Sequence, residues 1–257
     1  MFRCFAQAME DIADAWAKTP GTTEVWTPGP AIGSGISGSF HITSATGHRG
    51  ACKPAVGADG TLCAAHEKIA ADLAHQLKLS VPACCLWTDP ATGKHYSISM
   101  WAFSQAETWQ AANVVLSRKF LENASATFAA ARVFHTWIGD HDHANHGGNV
   151  IVDLNSSEDA PGVAFIDHSF SMSRLPGFDT DPVQKLGIHY VPPDLENVPA
   201  IGQMCDYINA LEEDMVKDTV GRVPAAFLPS DKADLIIRGL LKRRQELRTV
   251  FGVGIAP

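Results

Sequence analysis

Near residue 104 the chain changes its hydrophobic period, and that change constrains the fold more than any other feature of the sequence. Before it, apolar segments are short and strand-like. SGSFHITSA and RGACKPAV surround the turn ATGHRG, and VPACCLW and HYSISMWAF are split by DPATGK, so each pair reads as a hairpin. One helical stretch interrupts them, TLCAAHEKIAADLAHQLKL at 61–79, with Ala64, Ile69, Leu73 and Leu77 in register. After residue 104 the period becomes helical. NVVLSRKFLENASATFAAARVFHTWIG reads as a long helix ending at Gly139. PAIGQMCDYINALEEDMVKDTV and SDKADLIIRGLLKRRQELRTVF supply helical tail segments. In the last of these Ser230 is the expected N-cap, and the following Asp suits the positive end of the helix dipole. Only NVIVDL and GVAFIDHS, joined by NSSEDAP, read as strands in this second part.

Ahead of the first hairpin, Phe5, Met9, Ile12 and Trp16 recur at helical spacing and predict an amphipathic helix over 2–18. KTPGTTEVWTPGP at 18–30 is turn-rich and reads as a separator. The expected organisation is α+β: an N-terminal helix (1–20), a small β-rich lobe with one helix (21–103) and a larger, mainly helical lobe (104–257). No internal repeat is visible.

Bulk properties narrow the function. A chain of 257 residues, 46% apolar, can bury a full core. Its formal net charge of −8 argues against non-specific binding to nucleic acid or anionic membrane. The one obvious basic run, LKRRQELR at 241–248, reads as a solvated helix face. Six cysteines form no CxxC pair and read as buried free thiols in a reducing compartment. Glu10, Asp11 and Asp14 interrupt what a signal peptide would need unbroken, and no window reaches the ~18 apolar residues of a membrane span. The expectation is a soluble cytoplasmic protein.

Four ordered segments carry chemistry. In GSGISGSF, Gly33, Gly35 and Gly38 would let backbone N–H groups approach phosphate oxygens, with Ser34, Ser37 and Ser39 adding hydroxyl donors. In ACKPAV, Lys53 stands alone in a small, apolar strand, where an ammonium needs an anionic partner. Glu67 lies fourteen residues on, in the helix, where its carboxylate could pair with that lysine. Finally, IGDHDHANHGGNVIV and AFIDHS give a carboxylate, an Asn before one strand and an Asp after the next: Asp142, Asn149 and Asp167. Phosphoryl transfer needs such a set, one carboxylate to orient a hydroxyl and oxygen ligands to hold Mg²⁺ against phosphates.

These segments resemble the HipA-like kinases and, more distantly, the phosphatidylinositol 3/4-kinase group, variants of the protein-kinase fold. SGSF with ACKPA is similar to their glycine loop and KP strand. HEKIAADLAHQLKLSVP is similar to their helix and the VP strand after it, and GDHDHANHGGNVIV with AFIDHSFSM resembles their catalytic and metal-binding pair. VPAAFL and LIIRGLLKRRQEL resemble the C-terminal helices of one HipA-like branch, so the likeness spans roughly 33–250. The resemblance implies a two-lobed kinase that uses ATP and Mg²⁺ on a hydroxyl acceptor, with a protein Ser/Thr favoured over a lipid or small molecule. It implies that Gly33, Ser34, Gly35, Ser37, Gly38 and Ser39 cover the phosphates and that Lys53, supported by Glu67, positions them. Asp142 would be the catalytic carboxylate, with Asn149 and Asp167 as metal ligands. Two departures stand out: His143 replaces the usual Arg, and Ser169 replaces the Gly after His168. Asp140 with Asn145 is an alternative pair at the commoner spacing. Two other functions stay open, a pseudokinase or nucleotide-binding partner protein, and a zinc hydrolase. The second follows from a likeness of HDHANHGG to the metallo-β-lactamase loop, with His141, His143 and His146 as ligands. His135 fits the inner face of its helix and reads as core.

Overall fold

The computed structural model describes residues 13–19, 21–32, 38–56, 59–112, 116–145, 147–187 and 192–254. Five antiparallel strands form the first sheet: β1 (Trp26–Ala31), β2 (Phe40–Ser44), β3 (Arg49–Pro54), β4 (Cys84–Thr88) and β5 (His95–Met100), in the order β1-β2-β3-β5-β4. Both expected hairpins are present, as β2–β3 and β4–β5. β1 is additional. Its sequence, WTPGPA, carries two prolines and buries only Trp26, so neither alternation nor composition marks it as a strand. An edge position tolerates the missing N–H groups, and β1 lies at the edge with an irregularity between Pro28 and Ala31.

Helix α1 is described over 13–17, so Phe5, Met9 and Ile12 of the expected N-terminal helix lie outside the described residues. Helix α2 (Gly60–Gln76) crosses from β3 to β4 and is buried over most of its circumference. Ala64, Ala65, Ile69, Ala70, Leu73 and Ala74 pack into the large helical core. Each of its buried polar side chains has at least one partner to offset desolvation, although Asp72 Oδ2 has none. Lys68, 1% exposed, pairs with Asp72 at 2.7 Å and donates to the Trp16 carbonyl at 2.6 Å, tying α1 to α2.

The C-terminal region is helical around a small sheet. Strands β6 (Ala106–Thr108), β7 (Val150–Asp153) and β8 (Val163–Phe165) pair antiparallel. Around them stand α3 (Trp109–Ala112), α4 (Arg118–Ile138), α5 (Asp142–Asn145), α6 (Val198–Asn209), α7 (Glu213–Gly221) and α8 (Ser230–Phe251). The helical tail segment 199–220 forms two helices, α6 and α7. Leu211 gives its carbonyl to Arg244 Nη1 at 2.6 Å instead of to a helical N–H, and the next residue is extended. Ser230 begins α8 without a capping side-chain bond, and Pro229 holds the N-cap position. The basic run is not one solvated face. Arg243 is 3% exposed and donates to the carbonyls of Trp137 and Thr136, at 2.7 and 2.6 Å. Cys52, Cys84, Cys85 and Cys205 are buried free thiols and Cys63 is half-buried. Among the described residues no helix is long and apolar enough to cross a membrane.

Gly239 of α8 is where the helical core is tightest. A Cβ there would lie 2.3 Å from Cδ1 of Phe178, a fully buried ring that a Cβ on Gly139 would also crowd, at 3.1 Å. Gly239→Ala should therefore lower stability by about 1–3 kcal/mol through overpacking. This outweighs the ~1 kcal/mol that Ala gains over Gly in helix propensity. Urea unfolding would read it as a lower midpoint at unchanged slope.

Candidate active site

Lys53 lies on β3, opposite Ser97 of β5 and next to β2, and its side chain leaves the sheet toward α2. There its ammonium meets two carboxylates: Glu67 Oε1 at 2.5 Å and Asp167 Oδ1 at 2.8 Å. Glu67 comes from α2, and Asp167 follows β8 by two residues. One cation thus joins the first sheet, the long helix and the small second sheet. Glu67 is 5% exposed and Asp167 31%, so the triad runs from the interior to the edge of solvent.

The electrostatics follow from that gradient. Burial pushes the Glu67 carboxyl up, against the pull of Lys53. At Asp167 burial acts in the same direction, but Lys53 and the Ser169 hydroxyl, 2.6 Å from Oδ1, hold this carboxyl well below the usual range. Burial alone would lower Lys53, and its two carboxylate neighbours hold it above the ordinary lysine range instead. The outer carboxylate is therefore the firm anion of the pair.

α2 also fixes the segment after Asp167. Glu67 Oε2 accepts from the His168 N–H at 3.1 Å. The adjacent His66, fully buried, bonds the Ser169 carbonyl at 3.2 Å and the Ser173 hydroxyl at 2.7 Å. Burial pushes His66 down to about 4, so it is neutral near pH 7. These contacts hold Asp167 at φ +68°, a left-handed conformation that costs a non-glycine residue on the order of 1–3 kcal/mol. His66 directly precedes Glu67, but no local sequence signal marks it as a partner of Ser169 and Ser173.

The second half of the site comes from the end of α4. Gly139 closes that helix in the left-handed conformation, and Arg243 takes two of its last carbonyls. The chain then turns into α5. Asp142, half-buried, accepts from Asn149 Nδ2 at 2.7 Å, and the Asn149 carbonyl accepts the Ile166 N–H at 2.9 Å. Asn149, just before β7, is thereby tied to the residue preceding Asp167. The alternative carboxylate, Asp140, points the other way. It is fully buried, with Oδ2 3.0 Å from His143 Nδ1. His143 is 1% exposed and stacks between His135 and His168, with ring centroids 4.1 and 4.5 Å away. Among the described residues the group within metal-binding reach is His135, His143 and His168, which shares only His143 with the zinc-hydrolase reading. His146 lies outside the described residues.

Of the expected phosphate loop, Gly33, Ser34, Gly35 and Ser37 also lie outside the described residues. They belong to the connection between β1 and β2, whose base is closed by the Ile32 N–H on the Ser39 carbonyl at 2.8 Å. Gly38 has φ +62°, a conformation suited to glycine.

No family model matches the chain, and no curated protein matches it in sequence. Solved structures do match in fold. A proinflammatory kinase of Helicobacter pylori, CtkA, superposes with a TM-score of 0.58 at 12% identity, over 92% of this chain and 100% of the other. The Golgi casein kinase superposes with a TM-score of 0.54 at 11% identity, over 97% of this chain and 78% of its own. The same kinase with Mn/ADP bound gives 0.52 at 10% identity, over 96% and 78%. A β-sheet N-terminal region followed by a helical C-terminal region, in a protein-kinase-like arrangement, is the fold of this chain.

Proposed function

We propose that this chain is an ATP- and Mg²⁺-dependent kinase that transfers the γ-phosphoryl group to a hydroxyl, with a protein Ser/Thr as the favoured acceptor. One observation carries the reading: on a kinase-like fold, a single lysine bridges a helix carboxylate and a carboxylate at a strand end. The HipA-like kinases are the group its motifs resemble. The Golgi casein kinase with Mn/ADP bound lends support for nucleotide and divalent-metal use by a fold of this kind.

Each residue then has a task. Lys53, kept protonated by its two neighbours, presents positive charge to the α- and β-phosphates, and Glu67 fixes its direction. The segment Gly33, Ser34, Gly35, Ser37, Gly38 and Ser39 would cover the phosphates with N–H and hydroxyl donors. Asp167, the firm anion, and Asn149 offer the hard oxygen ligands that suit Mg²⁺. When bound, that ion supplies charge neutralisation on the phosphate oxygens. Asp142 orients the acceptor hydroxyl and takes its proton as oxygen bonds to the γ-phosphorus and the bond to the ADP oxygen breaks. Asp142 is preferred to Asp140 for this role because Asp140 is buried against His143, out of reach of an acceptor.

A transfer assay with γ-labelled ATP and Mg²⁺ tests the reading. Label should reach protein in wild type, fall about 10²–10⁴-fold in Asp142→Asn, and vanish in Asp167→Ala. Mg²⁺-dependent nucleotide binding without transfer in wild type would make the chain a pseudokinase, and full activity in Asp167→Ala would remove that residue from the site. Lys53 also carries a structural load. Lys53→Met strands the buried Glu67 carboxylate and should cost about 2–4 kcal/mol, most of it recovered in Lys53→Met/Glu67→Gln. Denaturant unfolding of the four proteins of that cycle measures it.

A further inference from the structure

Behind the catalytic segments lies a cluster that the proposed kinase chemistry does not use. His135 of α4, His143 of α5 and His168 after β8 are 3%, 1% and 1% exposed. One ring nitrogen from each lies within 4.8 Å of the others. Among the described residues, His135 Nε2, His143 Nε2 and His168 Nε2 have no hydrogen-bond partner. Phe134 and Phe165 wall the group, with centroids 6.1 Å from His168 and 5.4 Å from His135. Three buried imidazole nitrogens without a protein partner are costly, because a buried polar atom needs a partner to offset its desolvation.

We infer that these three imidazoles bind one transition-metal ion of the Zn²⁺ class, a structural site separate from the nucleotide-bound Mg²⁺. Ligand chemistry selects the ion: neutral imidazoles suit zinc, whereas Mg²⁺ takes hard oxygen donors. Asp140 completes the pattern. Its fully buried carboxylate stands 3.0 Å from Nδ1 of His143, an ion-pair distance at which it would balance part of the metal charge. Full burial leaves no place for a substrate, so the site holds structure and not hydrolysis. It would join α4 to the residue after Asp142 and to the residue after Asp167, clamping both catalytic carboxylates from behind. The inference does not depend on the kinase reading.

Metal analysis of the purified chain after dialysis against trace zinc, then against chelator-free buffer, tests it. Wild type and Asp167→Asn should each retain one zinc ion per chain, and His168→Phe, which keeps a stacked ring but removes a ligand, should retain none. Adding Co²⁺ to chelator-stripped wild type should give the visible absorption of imidazole-bound tetrahedral cobalt, a readout that needs no variant. A strong chelator should lower the melting temperature of wild type and leave that of His168→Phe unmoved. Metal-free wild type, indifferent to chelator, silent with Co²⁺ and matched in stability by His168→Phe, would overturn the site and leave a packed stack or a buried water in its place.

Discussion

The ammonium of Lys53 is the point on which the two halves of the molecule meet. It reaches from the first sheet to a carboxylate on α2 and to another after β8. Glu67 is shielded from water and the other two charges are partly so. Each is unfavourable without the others to the extent that it is desolvated, because desolvating an ion costs several kcal/mol that only close partners offset. The triad therefore requires β3, α2 and the 167–169 segment in one relative position. α2 is built for that position: alanines and leucines meet the helical core while His66 and Glu67 grip the segment that presents Asp167.

A second constraint governs the opposite wall. The last carbonyls of a helix need donors, and α4 ends in the interior, where water cannot supply them. Arg243 of α8 supplies two of its donors there, and Trp137 returns the favour by donating its indole N–H to the Leu240 carbonyl at 2.9 Å. The guanidinium also lies over the Phe178 ring, 4.9 Å from its centroid. With the helix end fixed in this way, Gly139 can turn the chain sharply and deliver Asp142 to Asn149.

What could be read from the sequence divides along sequence distance. The hairpins and the long helices announce themselves in local period, and Lys53 and Glu67 are separated only by a turn and the start of a helix. Asn149 and Asp167 were legible because each flanks an apolar β-branched run. The histidine cluster was not, since its members lie on α4, α5 and the end of β8 and meet only through tertiary packing. HDHANHGG instead drew attention to neighbours in sequence, and the structure turns His143 inward while leaving His141 only half-buried. β1 was missed because an edge strand with Pro28 and Pro30 lacks the alternation of a half-buried one. The break between α6 and α7 depends on Arg244, more than thirty residues away in the chain. Arg243 was hidden for the same reason: a basic run on a helix gives no local sign that one member will cap a buried helix end.

The prolines of β1 also decide how this sheet meets other molecules. A bare sheet edge offers a row of N–H and C=O groups to any extended peptide, which is how many domains recruit partners and how many proteins aggregate. Here one outer strand lacks two of its donors and is irregular between Pro28 and Ala31. At the other outer strand the Leu86 carbonyl already accepts the Thr22 N–H at 3.0 Å, where the chain before β1 folds back alongside β4. Both flanks thus resist templating by a foreign strand. A partner would have to be recognised through side chains and loops, and chains crowded together meet a sheet with little to offer a β-stacked assembly.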